Sequence, residues 1–356
     1  MNVWGNKIKI SIFGESHGGG IGAVIDGIPS GLTIDTDFIK REMQRRAPGQ
    51  NKLSTPRKEA DEVEILSGIF DGKTCGTPII GIIRNTNTQS KDYRKNLLRP
   101  GHADLTGLLK YGDSHDFRGG GHFSGRIAAG LVFAGAIAKQ VLKEQGITIG
   151  SHIKQIHNVK ENSFLDIDNL QKDLLAELTS KAFPVIDDTI GEKMQQEILN
   201  AAADKDSVGG IIECAAIGTP EGWGSPFFSA VESQISSIMF SIPAVKGIEF
   251  GRGFDFAEMY GSTANDPFAT DGNKIFTATN NNGGINGGIT NGMPIVFSVA
   301  VKPTPSIAKV QNTVDIEKME NTTIEIIGRH DPCIVQRAAV VVECAAALAL
   351  LDAGLI

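Results

Sequence analysis

The chain has no excess of positive charge. Its 34 Lys and Arg are outnumbered by 41 Asp and Glu, a net −7, whereas nucleic-acid binding normally leaves a basic stripe. Cysteine is scarce too. Cys75, Cys214, Cys333 and Cys344 show no CxxC pair and no zinc-type spacing, so no metal site is expected, and reduced thiols in a cytoplasmic protein are the simplest account. There is no uninterrupted apolar run of the roughly 18 residues needed to span a bilayer. The most apolar stretches, 127–142 and 338–351, are broken by Lys139 and Glu343 and read as buried helices. The N-terminus, MNVWGNKIKIS, lacks the apolar segment of a secretory signal and reads as a first strand.

Two nucleotide-binding patterns also fall away. GGGIGA from Gly18 leaves no room before Gly27 and Pro29 for a crossover helix, and the glycine spacing from Gly14 to Gly19 lacks the P-loop lysine. No stretch has linker composition and no strict repeat occurs, so one domain over 1–356 is expected.

What the chain does have is glycine, 42 residues of it. Clusters at 18–22, 119–121 and 283–288 read either as functional loops that let backbone approach a ligand or as tight turns. Strands are expected at 7–13, 22–29, 63–69, 77–83, 208–217, 294–302 and near 323–328. Helices are expected at 35–46 (stopped by Pro48 and Gly49), 102–110, 127–146, 164–180, 187–205 and 227–240, with a final apolar helix. The 127–146 helix is apolar around most of its circumference and rich in Ala and Gly, which predicts a central position with neighbours on both sides. The passage 262–292 reads as a flexible ligand-binding loop or a chain of turns.

Two histidines stand in glycine-bracketed motifs, His17 in FGESHG beside Ser16 and His102 in RPGHAD after Arg99. Arginine recurs at Arg46, Arg99, Arg118, Arg126 and Arg329. Against an acidic chain these form a local positive site, suited to a small polyanion. Histidine titrates near neutrality and can protonate a departing phosphate. Arg99 has Asp104 as an alternative surface partner. Arg126 begins the central helix, where free N–H groups and the helix dipole favour an anion. Asp331, in RHD before Pro332, reads either as a helix N-cap or as a general base, kept ionised by the adjacent Arg329.

FGESHG, RRxPG at 45–49, RPGHAD, YGDSHDFRGGG leading to SGR, SIPAVKGIEFG, GGINGG, KPTPSI and GRHDPC occur in an order that resembles the chorismate synthase family over essentially the whole chain. The resemblance implies an α+β fold with central helices sandwiched between antiparallel β-sheets, assembled as a homotetramer in the cytoplasm. It implies a lyase that makes chorismate from 5-enolpyruvylshikimate 3-phosphate by 1,4-anti elimination of phosphate, using reduced FMN without net redox change, the last common step of the shikimate pathway to aromatic amino acids. That substrate carries one phosphate and two carboxylates, in keeping with a polyanion site.

By the same resemblance His17 protonates the leaving phosphate, His102 serves the reduced flavin, and Asp331 acts with flavin N5 in removing the ring proton. Ser16, Arg46, Lys52, Arg99, Arg126 and Arg329 fall on positions that hold substrate or flavin phosphate. The flavin segments fall on His122, Phe123 and Ser124, on Pro243 and Ala244, on Gly287, on Lys302, Pro303, Thr304, Pro305 and Ser306, and on Arg329. Ala47, Lys52 and HFSGR at 122–126 depart from the commoner family pattern; Lys52 keeps charge without arginine's fork, and Phe123 has no hydroxyl to offer. No nicotinamide motif stands out, so an external flavin reductase or another source of reduced FMN is expected, rather than NADPH-driven reduction by the chain itself. A flavin-dependent oxidoreductase and a non-catalytic binder of phosphorylated metabolites are the rival classes.

Overall fold

The computed structural model describes residues 2–49, 53, 59–86, 94–326 and 330–354. Two five-stranded antiparallel sheets form its outer walls. The first runs in the order β1 (Val3–Trp4), β2 (Lys9–Gly14), β3 (Gly20–Asp26), β7 (Ile79–Arg84), β4 (Val63–Ser67). The second runs β11 (Val245–Phe250), β16 (Ile295–Val301), β10 (Gly210–Ile217), β8 (Thr148–Ile156), β9 (Val159–Lys160). Four small ribbons decorate them: β5 (Ile69–Phe70) with β6 (Lys73–Thr74), β12 (Phe268–Thr270) with β13 (Ile275–Thr277), β14 (Ile285–Asn286) with β15 (Ile289–Thr290), and β17 (Val310–Asp315) with β18 (Glu320–Glu325).

Between the walls lie two long apolar helices, α3 (Ala128–Glu144) against the first sheet and α8 (Val335–Gly354) against the second. Helices α1 (Thr36–Arg46) and α6 (Val231–Met239) flank them, while α4 (Lys172–Ser180) and α5 (Asp188–Ala203) cover the outside of the second sheet. The remaining helices, α2 (Asp104–Tyr111) and the one-turn α7 (Gly261–Ala264), are short. The fold is thus α+β with central helices between antiparallel sheets, and one hydrophobic core extends from Ile8 to Leu351 across both.

The alternation in β2 and β3 explains how that core begins. Ile8, Ile10, Ile21, Ala23 and Ile25 are buried on one face, as a period of two demands. Helix α3 then approaches β3 closely because Gly130 has no side chain; a Cβ there would lie 2.8 Å from the Gly22 carbonyl oxygen. Gly135 does the same toward α8, where a Cβ would meet Cys344 Cβ at 2.3 Å. Gly125–Glu144 is long and apolar enough to cross a membrane by composition alone, but its residues are buried inside this sandwich.

Charge is also buried between the helices. The Glu343 carboxylate of α8 accepts both terminal nitrogens of Arg45 at 2.7 Å, Lys139 Nζ at 2.7 Å and Ser151 Oγ at 2.8 Å. Lys139 also reaches Glu42 at 2.6 Å. Burial opposes ionisation of Glu343, yet the two cations overcome it and hold its pKa down to about 2.

Several expected elements differ. The expected 164–180 helix is a 3₁₀ turn (Phe164–Asp166) followed by α4, because Asn169, at φ 56°, breaks the chain between them. The expected 227–240 helix starts only at Val231, since Ser225 and Ser229 pair across the preceding bend. Strands β8, β11 and β17 were not expected at all. The 262–292 passage takes the form of a chain of turns and ribbons. It is tied together by the Asp266 carboxylate, which accepts from Thr279 Oγ1 and from the backbone N–H groups of Asn281 and Asn282, and none of its residues lines the cavity described next.

Candidate active site

A cavity of about 1520 Å³ opens between the first sheet's loops, the C-terminal end of α6 and the segment before α8. Its cations are Arg46, Arg94, Lys95, Arg99, Arg126, Lys246, Lys302 and Arg337; its carboxylates are Glu59, Asp104, Glu325 and Asp331. On an acidic chain this is a concentrated positive field, the kind that gathers small anions.

The β2–β3 connection, Glu15–Gly19, supplies Ser16 and His17. Ser16 is buried and lines the cavity; its N–H donates to the Gly121 carbonyl at 3.0 Å. His17 stands one layer behind the lining, with its ring against Gly119, which does line the cavity. A Cβ on Gly119 would lie 2.6 Å from His17 Nε2, and Gly119, Gly120 and Gly121 all adopt positive φ (60°, 83° and 53°). The triple glycine is therefore required twice, for its backbone and for the space that His17 occupies.

The RPGH turn delivers the second histidine. His102 Nε2 meets Ser306 Oγ at 2.6 Å, so the RPGH and KPTPS segments face each other; Lys302 Nζ, at 2.5 Å from the Gly101 carbonyl, closes the same contact. Burial first, then the charges of Arg99 and Lys302, push the His102 pKa down to about 4, with Asp104 opposing. Its imidazole is therefore neutral near pH 7. Arg99 both lines the cavity and grips Asp104 through Nε (2.8 Å) and Nη2 (2.6 Å), so the Asp104 pairing forms at the cavity lining.

At the start of α3 the sequence calls for an anion, and the protein supplies it. Arg126 pairs with Glu59 at 2.5 Å and Asp61 at 2.9 Å, and donates from Nε to Asn85 Oδ1 at 2.6 Å. Asp61 also faces Arg46 Nε at 2.8 Å, an ion pair without hydrogen-bond alignment, and Arg46 Nη1 donates to the Arg126 carbonyl at 3.2 Å. Arg118 stays outside the cavity and pairs with Asp116 at 2.8 Å. Asp331 lines the cavity and pairs with Arg337 at 2.5 Å. It is no N-cap with α8 starting at Val335.

Among the expected flavin segments, His122, Phe123, Ser124, Pro243, Ala244, Lys302, Thr304, Pro305 and Ser306 all line this cavity. His122 Nδ1 meets the Gly14 carbonyl at 2.8 Å and must be the donor, since the carbonyl can only accept. Ala244 adopts φ 76°, a strained value for a residue with a Cβ, while its carbonyl accepts from Lys302 N–H. Two buried polar atoms among the lining residues, Thr304 Oγ1 and His330 Nε2, have no hydrogen-bond partner among the described residues, which is what a polar ligand would complete. Gly287 does not join the cavity. It sits on the exposed β14–β15 turn, near the opposite end of α6, whose N-terminal Val231 N–H donates to the adjacent Gly288 carbonyl. Pro303 does not line the cavity either, although its neighbours do. Lys52 and Arg329 lie outside the described residues.

The reasoning from sequence missed Arg337, Glu59, Asp61, Asn85 and Lys246. Only Arg337 left a local signal, as a cation in the first turn of an otherwise apolar helix, where the dipole opposes it.

Fold and cavity together define an α+β enzyme for a small molecule, with a cation-rich cavity lined by His102 and Asp331 and His17 against its Gly119. The comparisons make this specific. The family model for chorismate synthase matches residues 8–355. The chain is 46% identical over 353 residues to chorismate synthase of Methanobrevibacter smithii, covering 99% of this chain and 95% of that protein. It is 45% identical over 356 residues to that of Dehalococcoides mccartyi, covering 99% and 96%. A crystal structure of chorismate synthase superposes with a TM-score of 0.78 at 31% identity, covering 98% of this chain and 92% of that one. The chain belongs to the chorismate synthase family, and it is a lyase.

Proposed function

We propose that this cavity binds 5-enolpyruvylshikimate 3-phosphate together with reduced FMN and eliminates phosphate to give chorismate. The observation that carries the reading is the meeting, in one cation-lined cavity, of residues from segments far apart in sequence: Ser16, Arg46, Arg99, His102, Arg126, Ser306 and Asp331. Elimination needs three things of the protein. It must hold the substrate's anionic groups, neutralise the departing phosphate, and accept the ring proton.

Arg46 and Arg99 hold the anions; Asp104 accepts from two nitrogens of Arg99 and fixes its guanidinium plane, and Arg46 pairs with Asp61. Arg126 adds its charge from the same wall, and Lys52 and Arg329 belong to the same set. His17 protonates the leaving phosphate past Gly119, whose missing side chain leaves its ring unscreened. Asp331, with its carboxylate pinned by Arg337, accepts the proton. The flavin, when bound, supplies electron density to the substrate ring as phosphate departs. Thr304, Ser306, Lys302, Pro243, Ala244, His122, Phe123 and Ser124 would hold it, with His102 in reach; Gly287 has no such place in the cavity of a single chain.

We also infer a cytoplasmic homotetramer supplied with reduced flavin by a separate reductase. Four free cysteines and no nicotinamide motif support the compartment and the external supply; exposed Phe228, Phe254 and Phe268 support the assembly. The test is anaerobic incubation with substrate and chemically reduced FMN. Stoichiometric release of phosphate and chorismate without flavin oxidation is expected, and absence of both products rejects the proposal. NADPH in place of the chemical reductant is expected to give no turnover unless a reductase is added.

A further inference from the structure

Arg337 is the third residue of α8, at the end of the helix where a cation is least favoured. Its side chain makes two contacts that reverse this penalty. Nη1 donates to Asp331 Oδ2 at 2.5 Å, and Nε donates to the Arg46 carbonyl at 2.9 Å. Arg46 ends α1, so that carbonyl lacks an intrahelical partner and sits at the negative end of the helix dipole. One rigid guanidinium therefore bridges the C-terminus of α1 to the segment before α8. These two pieces are 285 residues apart between Arg46 and Asp331, and each carries a cavity-lining side chain.

The bridge extends further. From Arg46 the chain of charge runs to Asp61 at 2.8 Å, from Asp61 to Arg126 at 2.9 Å, and from Arg126 to Glu59 at 2.5 Å. Asp331 is thus joined through Arg337 to the strut that orients the anion-holding arginine.

We propose that Arg337 is a positioning residue for the reaction: it fixes the Asp331 carboxylate and couples it mechanically to Arg46, so that the proton acceptor and the anion clamp keep their spacing. This rests on the reading of Asp331 as the proton acceptor. Lysine would keep the charge but could not make both contacts in one plane.

The test is a double-mutant cycle on the full chain with reduced FMN, using R337M, R337K, D331N and the combination of D331N with R337M. R337M is expected to lower kcat by about 10- to 100-fold, the scale of an ångström-sized misplacement, with substrate KM changed by less than about 3-fold. R337K, which preserves charge and nearly preserves volume, is expected to fall between R337M and wild type. The D331N and R337M combination is expected to be no slower than D331N alone, because a residue acting only through Asp331 has nothing left to position. Equal fractional loss from R337M with and without D331N would overturn the proposal, as would a wild-type kcat in R337M. A wild-type kcat in D331N alone would instead remove the assignment of Asp331 itself.

Discussion

Two imidazoles at this site, His17 behind the cavity lining and His102 on it, are held in opposite ways, one by space and the other by charge. His17 is seated by the absence of a side chain at Gly119, so Gly119→Ala must move it or itself. We expect G119A to lose turnover while keeping the wild-type unfolding midpoint within a few degrees, measured by steady-state kinetics beside thermal denaturation. His17→Ala and His102→Ala are each expected to reduce kcat by about 10²- to 10⁴-fold, the span usual for loss of a general acid or base; wild-type rates in either would reject its role. His102 carries a further consequence. Its pKa is lowered from 6.5 to about 4 in the folded protein, mainly by burial and by Arg99. The folded state therefore binds fewer protons than the unfolded chain between those values, and stability present above pH 6.5 is lost as pH falls toward 4. A polyanion entering beside it acts in the opposite direction and raises the pKa. Titration calorimetry near pH 6 in buffers of different ionisation enthalpy should show proton uptake on FMN binding, and H102Q should abolish it.

Helices α1, α3 and α8 are tied by the buried charges of Glu42, Arg45, Lys139 and Glu343. Removing one member leaves the others buried without compensation, which costs more than the intact cluster contributes. Glu343→Gln is expected to destabilise the protein by about 3–5 kcal/mol in chemical denaturation. Because Glu343 has its pKa depressed from 4.5 to about 2, its stabilisation is complete above the unfolded value and is lost as pH falls through about 2. An unchanged denaturation midpoint in E343Q would show that packing alone holds these helices. The same long-range pairing explains why β8 escaped notice in the sequence. Ser151, His152 and Lys154 interrupt its apolar pattern, yet Ser151 and His152 are fully buried, Ser151 on Glu343 and His152 between Glu161 and Glu213. A periodicity argument counts such residues as exposed because their partners lie far away in the chain. Strands β2 and β3 were legible because their inward positions are simply apolar.

Across the molecule, large apolar side chains remain on the surface where loops leave the second sheet. Phe228 is 95% exposed, Phe254 81% and Phe268 82%, more than scattered surface residues require. If the proposed homotetramer uses this region, Phe228→Asp should lower the mass seen in sedimentation equilibrium; a tetramer that survives the charge would place its interfaces elsewhere. The cavity, by contrast, joins both ends of the chain, from Ser16 to Arg337. Nothing local around Ser16 or around Asp331 says that they line one cavity.

Residue chemistry and motif order were enough to establish the central apolar helices and the family and to point to a polyanion site with two histidines, because each of these is carried by side-chain type or by short-range spacing. Tertiary structure alone decided the partners: that Arg126 answers to Glu59 and Asp61, that Arg337 of α8 pairs with Asp331, and that Gly287 sits away from the cavity. The physical reason is that ion pairs and close glycine contacts depend on distances across the sandwich, which only the packing of α3 and α8 between the two sheets sets.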